Sequence, residues 1–258
     1  MDTRDPTSRF SDRVHDYRRG RPGYPPALLD FLERQCGLGP QAVVADVGSG
    51  TGIFTELLLE RGARVFAVEP NADMAGAAEE RLGARPAFAS VRGRAEDTGL
   101  PASSVDLVTM AQALHWFEPE GTRREFARIL RPTGFVAAMW NARRREGTPF
   151  LRGYEALLLR WGTDYAAVGR RGGEEAAVEA LFGEGSYQRR ALEYTQPLDR
   201  DTLRARLLSS SYTPAADDPR RTPMLADLDA LFAAHQVDGR VTMEYDTEVF
   251  WGALMPAR

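Results

Sequence analysis

A chain of 258 residues, 43% hydrophobic and 27% charged, can bury a sizeable core and suits one decorated α/β domain. Its formal net charge of −4 gives no general pull toward nucleic acid or an anionic membrane. A single cysteine, Cys36, excludes an intramolecular disulfide, and all 33 basic residues are arginine, which excludes lysine-based catalysis such as Schiff-base chemistry.

The chain opens on a charged, polar stretch without the apolar core of a secretory signal, and no run approaches the roughly 18 apolar residues that span a bilayer. A cytoplasmic, reducing location is expected. Between Arg13 and Tyr24, the residues Tyr17, Arg18, Arg19, Arg21 and Tyr24 gather ahead of a helix that Pro25-Pro26 starts and that runs from Ala27 to Cys36. These arginines can pair with a carboxylate or stand as solvated charges beside a turn. His15, in the same stretch, and His235, at a later helix end, read as surface residues.

A buried strand follows from Val43 to Val47, then the turn Gly48-Ser49-Gly50-Thr51-Gly52 and a helix from Ile53 to Leu59. Glycines at alternate positions permit close ligand approach, and the helix start offers unpaired N–H donors. The pattern is not the dinucleotide fingerprint. Ile53 stands where GxGxxG wants its third glycine, and Asp46 sits two residues before the first. A carboxylate there repels a pyrophosphate and suits a ligand with a cationic amino group, which favours S-adenosylmethionine (SAM) over NAD. Glycine turns also join strands to helices with no ligand, so the later landmarks matter. A second strand, Arg64 to Val68, ends at Glu69, about 20 residues beyond Gly48, where an acid accepts hydrogen bonds from ribose hydroxyls. Glu69-Pro70-Asn71-Ala72-Asp73-Met74 opens another helix, with Met74 suited to an adenine face. In Gly93-Arg94-Ala95-Glu96-Asp97, either acid can hold the adenine amino group.

The strand Val105 to Met110 leads into Ala111-Gln112-Ala113-Leu114-His115-Trp116-Phe117, at the edge where open α/β sheets bind ligands. His115 is a candidate general base, or with Trp116 a wall of the pocket. A helix from Thr122 to Leu130 stops at the turn signal Pro132-Thr133-Gly134, and the strand Phe135 to Trp140 follows. Alternation of strands and helices from Gln41 to Asn141 implies a parallel sheet with right-handed crossovers. Beyond it, Phe150, Leu151, Tyr154, Leu157, Leu158 and Trp161 recur at helical spacing. Gly162 to Gly173 reads as a loop, Ser186 to Pro197 as a strand, and Thr202 to Ser209 and Pro223 to His235 as helices. Arg240 to Trp251 reads as a last strand with Val241, Met243, Tyr245, Thr247 and Val249 on one face. Trp140, Phe150, Trp161, Tyr212 and Trp251 either line an apolar pocket or pack in the core, with Trp251 the foremost pocket candidate. No cluster has metal-ligand spacing, so no metal is expected.

The blocks Asp46 to Gly52, Val68-Glu69-Pro70, Arg94-Ala95-Glu96-Asp97 and Ala111 to Phe117, in this order, resemble the class I SAM-dependent methyltransferases, in particular the type 11 small-molecule group. The resemblance covers roughly Gln41 to Asn141 and extends weakly to Tyr17–Pro25 and Tyr245–Trp251. It implies a Rossmann-like sheet of seven strands, mostly parallel, with helices on both faces and the last strand antiparallel. It implies that the N-terminal segment and helices inserted after the fifth strand form a lid. The division would be 1–26 for the N-terminal segment, 27–141 for the SAM-binding core, 142–240 for the lid with the sixth strand and substrate specificity, and 241–258 for the last strand. SAM is the implied cofactor. Its contacts would be Tyr17, Arg21, Asp46, Gly48, Ser49, Gly50, Thr51, Gly52, Glu69, Pro70, Met74, Ala95, Glu96 and Gln112, the last near the methionyl part. His115 is then the candidate catalytic residue, and Arg18, Tyr24, Trp116, Trp140, Tyr212 and Trp251 are the candidate substrate contacts.

The Asn/Asp-Pro-Pro-Tyr/Phe tetrapeptide of amine-methylating relatives is replaced by Gln112-Ala113-Leu114-His115, against nucleobase-amine or glutamine methylation. The Tyr17–Pro25 opening and Leu114-His115-Trp116-Phe117 are similar to enzymes that methylate small carboxylic acids such as trans-aconitate. Carboxyl O-methylation of a small molecule therefore leads, with O- or N-methylation of a biosynthetic intermediate beside it. An RNA methyltransferase would need a basic face or an RNA-binding module, against the net charge of −4. A SAM-binding enzyme that does not methylate would carry the same motif. The motifs fix neither the substrate nor the oligomeric state.

Overall fold

A computed structural model describes residues 20–163, 165, 172–210 and 212–254. The first helix, α1 (Pro26–Cys36), starts at proline and ends on Gly37 in the left-handed region at φ 70°. Its stripe of Leu28, Leu29, Phe31 and Leu32 is buried. Then come β1 (Val43–Val47), α2 (Ile53–Glu60), β2 (Arg64–Val68) and α3 (Ala72–Leu82). The Asn71 side chain caps α3 by accepting from the amides of Asp73 and Met74. β3 (Phe88–Val91) and β4 (Val105–Ala111) precede a single 3-10 turn, Leu114–Trp116, and α4 (Pro119–Ile129).

β5 (Leu130–Arg143) departs from the sequence expectation of a turn at Pro132-Thr133-Gly134. Leu130 already pairs with Val105, and the next matched pair is Leu107 with Phe135, so the three residues are taken up as a bulge inside the strand. Next are α5 (Pro149–Trp161), α6 (Gly172–Phe182), β6 (Gln188–Leu198), α7 (Arg200–Leu208), α8 (Arg221–His235) and β7 (Val241–Gly252). Neither β3 nor α6 stands out in the sequence. β3 has four residues, all half-buried, and so no alternation to read, while α6 begins within the expected glycine loop.

The seven strands form one sheet in the order β3-β2-β1-β4-β5-β7-β6. β1 to β5 are parallel, and β7 is antiparallel to both β5 and β6. The order reverses between β1 and β4, which opens a crevice at their carboxyl ends. One face packs under α1 and α2 through Phe31, Leu32, Leu58, Val65 and Leu107. The other packs under α4 and α6 through Val108, Met110, Phe126, Phe182 and Trp140. A third cluster joins α5, α7 and α8 to the first half of β7 through Leu151, Leu203, Leu228 and Met243. Among the described residues, no helix is long and apolar enough to cross a membrane.

Candidate functional site

The crevice is built where β1 turns into α2. Gly48 and Gly50 adopt φ values of 70° and 55°, a region that a side chain disfavours. At Gly48, a Cβ would also stand 2.6 Å from that of Ala113. The turn lies against the strand ends because the Gly48 and Ser49 amides both donate to the Val68 carbonyl, at 2.9 and 3.2 Å.

Four of the turn's five amides are committed inside the protein. Gly50 donates to Glu69 Oε2 at 2.9 Å, and Gly52, which precedes α2, donates to the Ser49 carbonyl at 2.9 Å. Glu69 Oε1 accepts from the Asn71 amide at 2.9 Å. With four of its five amides occupied and Glu69 against it, the turn is a poor cradle for a pyrophosphate. By contrast, the buried hydroxyls of Ser49 and Thr51 have no hydrogen-bond partner among the described residues.

Asp46 forms the back wall and is 1% exposed. Thr55 Oγ1 donates to its Oδ2 at 2.6 Å, and Thr109 Oγ1 donates to its Oδ1 at 2.9 Å. Burial pushes its carboxyl up to about 6, the two threonines pull it back, and the neighbouring Glu69 charge adds to the rise. Glu69 is also raised above the ordinary carboxylate range by burial, against the pull of the Asn71 and Gly50 amides. Two desolvated carboxylates beside unpaired hydroxyls suit a ligand that brings positive charge and hydroxyl groups.

The remaining walls come from three elements. Ile53 and Phe54 extend from the first turn of α2, and Ala111 and Gln112 from the end of β4. Gln112 holds φ 63° while its amide donates to the Met139 carbonyl at 2.9 Å. Arg21, Pro22 and Tyr24 form the roof of the cleft. Contacts that fasten this segment include the Arg21 guanidinium donating to the Ser209 carbonyl at 3.2 Å, Asn141 Nδ2 donating to the Gly23 carbonyl at 2.9 Å, and the Tyr24 ring meeting Phe54 edge-on at 4.9 Å.

The expected residues divide accordingly. Arg21, Tyr24, Asp46, Gly48, Ser49, Thr51 and Gln112 come together around the cleft. Glu69 and Met74 meet the same turn at Gly50. Pro70 follows Glu69, half-buried. Ala95 is buried in the core, Glu96 Oε1 accepts from the Glu118 amide at 2.8 Å, and the two are not among the residues that line this cleft. Tyr17, Arg18, Arg19 and His15 lie outside the described residues. His115 is exposed on the 3-10 turn with its ring 4.8 Å from that of Trp116, and neither belongs to the cleft wall. Tyr212 packs edge-on against Tyr165, 4.9 Å between centroids.

Trp140 and Trp251 correct the pocket expectation. β7 runs antiparallel, so its end travels away from the carboxyl edge. Trp251 pairs with Ala137 at mid-sheet and packs edge-on against Phe31 at 4.6 Å. Trp140 points to the opposite face, edge-on to Phe250 at 5.7 Å and 2% exposed. Both are core residues. Thr55, Thr109 and Asn71 carry functions that the sequence reading passed over. The Asn71 cap was available as a signal, since asparagine just before a helix is a favoured N-cap. The threonines become partners of Asp46 only once α2 and β4 are folded.

A family model described as a methyltransferase domain matches residues 45–138. An uncharacterised methyltransferase of Mycobacterium tuberculosis, Rv3342, is 33% identical over 236 residues, covering 90% of this chain and 88% of its own length. A methyltransferase-like protein of Schizosaccharomyces pombe is 25% identical, covering 96% of each chain. Among solved structures, a chain from Anaeromyxobacter dehalogenans described as a type II methyltransferase superposes with a TM-score of 0.67 at 25% identity. That match covers 92% of this chain and 99% of the other.

Proposed function

The chain belongs to the methyltransferase-domain family, as a SAM-dependent enzyme, and on that premise we propose that it methylates a carboxylate of a small organic acid. The donor set of the cleft fits SAM. Asp46 would face its ammonium group and Glu69 its ribose hydroxyls, through lone pairs that the Gly50 and Asn71 amides leave unused. The Ser49 and Thr51 hydroxyls, Gln112 and the Arg21 guanidinium would hold the methionyl end, and Met74 would lie by the adenine. Bound SAM supplies an electrophilic methyl group, which a carboxylate oxygen takes without proton transfer while the electron pair stays with sulfur.

One observation carries the choice of acceptor. Among the described residues, the ionisable groups of the cleft wall are Asp46, Arg21 and Tyr24. Asp46 is held by two threonines, so none of the three is a ready general base, which favours an acceptor that arrives already ionised and needs no proton removed. What the residues then contribute is orientation in a closed site, which by itself supplies several kcal/mol of barrier reduction, about 7–11 at best. The segments 1–26 and 142–240 would form the specificity lid over the core, 27–141 with 241–258.

The test is transfer of a radiolabelled methyl group from SAM to a panel of small carboxylic acids. A methyl ester releases its label as methanol in mild alkali, whereas label on nitrogen, carbon or an ether oxygen stays. Alkali-stable product would retire the carboxyl reading and leave O- or N-methylation of a biosynthetic intermediate.

A further inference from the structure

The helical cluster beside the cleft hides a cation that no carboxylate among the described residues neutralises. Arg206, in α7, is 9% exposed. Its Nε donates to the Tyr245 hydroxyl at 3.2 Å. Among the described residues this is the guanidinium's one hydrogen bond, and no aspartate or glutamate pairs with it. Arginine is seldom buried this far without a partner, because burial removes the water that solvates the charge.

Its neighbour in the cluster shows the contrast. Arg143 is likewise largely buried, yet Glu155 pairs with it, Tyr165 Oη accepts from it at 2.9 Å, and the Tyr154 ring lies 5.1 Å below. The cluster thus supplies one acid for one of two cations. Around Arg206 it offers phenols alone, from Tyr245, Tyr212 and Tyr154. Burial presses its pKa down, but these oxygens outweigh that and hold it a cation.

The backbone of Arg206 also stands next to the segment that roofs the cleft, although its guanidinium is not among the residues that line it. A methyl group added to Gly20 would overlap the Ala205 carbonyl and the Arg206 amide, so the N-terminal segment rests on this turn of α7. The following residue, Arg21, lines the cleft and bonds to Ser209, three residues past Arg206. Tyr245 pairs with Arg143 on β5, beyond Met139, whose carbonyl takes the Gln112 amide, so the Arg206 partner lies at the same carboxyl edge.

We propose that Arg206 is the receptor for a second carboxylate of the acceptor, remote from the one that is methylated, so that the enzyme prefers dicarboxylic to monocarboxylic acids. The planar fork of the guanidinium keeps its two terminal nitrogens for a bidentate contact, with the tyrosines shaping the apolar surround. This rests on the carboxyl-methylation reading.

The experiment titrates succinate, glutarate and adipate, beside butyrate, valerate and hexanoate, into protein saturated with S-adenosylhomocysteine. Wild type and Arg206→Met are compared calorimetrically. At least one diacid is expected to bind wild type tenfold or more tighter than its monoacid homologue. Arg206→Met should cut that preference below threefold, with S-adenosylhomocysteine affinity unchanged within threefold. An unaltered preference in the variant, no preference in wild type, or loss of S-adenosylhomocysteine binding in Arg206→Met would each overturn the assignment. Ester formation is measured separately. A diacid bound through Arg206 but never converted to an alkali-labile ester keeps the receptor and removes the methylation reading. An ester formed from an acid whose KM does not move in Arg206→Met does the reverse.

Discussion

Asp46 carries a cost that its threonines only partly offset. Its folded carboxyl keeps a proton up to about pH 6, whereas in the unfolded chain it ionises near 3.8. The folded state therefore binds the proton more tightly, and stability falls as pH rises from 3.8 to 6, then stays level. At 1.36 kcal/mol per unit, the penalty above pH 6 is on the order of 3 kcal/mol. Asp46→Asn keeps the shape and removes the charge, so urea midpoints at pH 7 should rise by about 1–3 kcal/mol in stability. The gap should close as pH falls from 6 toward 4. In the same variant, calorimetric SAM affinity should drop about 10- to 100-fold, the worth of a charge-assisted hydrogen bond. Wild-type affinity should also tighten as pH rises through 6. A stabilised variant with undiminished SAM affinity would remove Asp46 from the cofactor site. His115 discriminates between acceptors. If the acceptor is a carboxylate, His115→Asn should retain turnover within tenfold. Losses of about 10²–10⁴ would mark a base serving a hydroxyl or an amine.

At the level of elements, the turn after β1 makes a graded expectation. Gly48→Ala adds a left-handed penalty of about 1–2 kcal/mol to a 2.6 Å clash with Ala113 Cβ. Gly50→Ala has the same backbone penalty but meets only the Met74 methyl at 3.5 Å. Denaturation midpoints should therefore fall further for Gly48→Ala than for Gly50→Ala, and the reverse order would contradict this turn geometry. The turn, its flanking β1 and α2, and β2 with Glu69 were legible because buried strands and glycine punctuation are local signals. Long periodic segments such as α5 and β7 were legible for the same reason. What escaped has a non-local cause. Pro132-Thr133-Gly134 punctuates the chain as a turn does, yet pairing with β4 on both sides absorbs it as a bulge. Trp251 looked like a pocket residue because it ends its strand; the resemblance already implied an antiparallel last strand, but its register, with Trp251 opposite Ala137 at mid-sheet, appears only in the assembled sheet. The closure of Thr55 and Thr109 on Asp46, and the unneutralised Arg206, exist only where distant segments meet.

Across the whole molecule, the hydrophobic interior is divided in a way that bears on function. The two clusters beneath the sheet faces hold β1, β2 and β4, and with them the turn and Asp46. The third cluster holds α5, α7 and α8 on the first half of β7, and it positions Arg206, Tyr245 and the Ser209 carbonyl that fastens Arg21. β7 belongs to all three, with Val249 and Trp251 in one, Phe250 in another, and Met243 and Tyr245 in the last. A cavity in the third cluster should therefore loosen the substrate side while the cofactor side keeps its own packing. Leu228 and Leu58 are both fully buried, in the third and first clusters, and truncation to alanine should cost each about 2–5 kcal/mol. Their consequences should differ. Leu228→Ala should raise hydrogen exchange in α5, α7 and α8 and weaken acceptor KM, with S-adenosylhomocysteine affinity held within about threefold, since local opening draws on the least-packed unit. Leu58→Ala should weaken S-adenosylhomocysteine binding, because α2 carries Thr55 and the end of the turn. Equal loss of both affinities in both variants would mean that the three clusters unfold as one unit. Specificity could not then be altered in the proposed lid without disturbing the cofactor site.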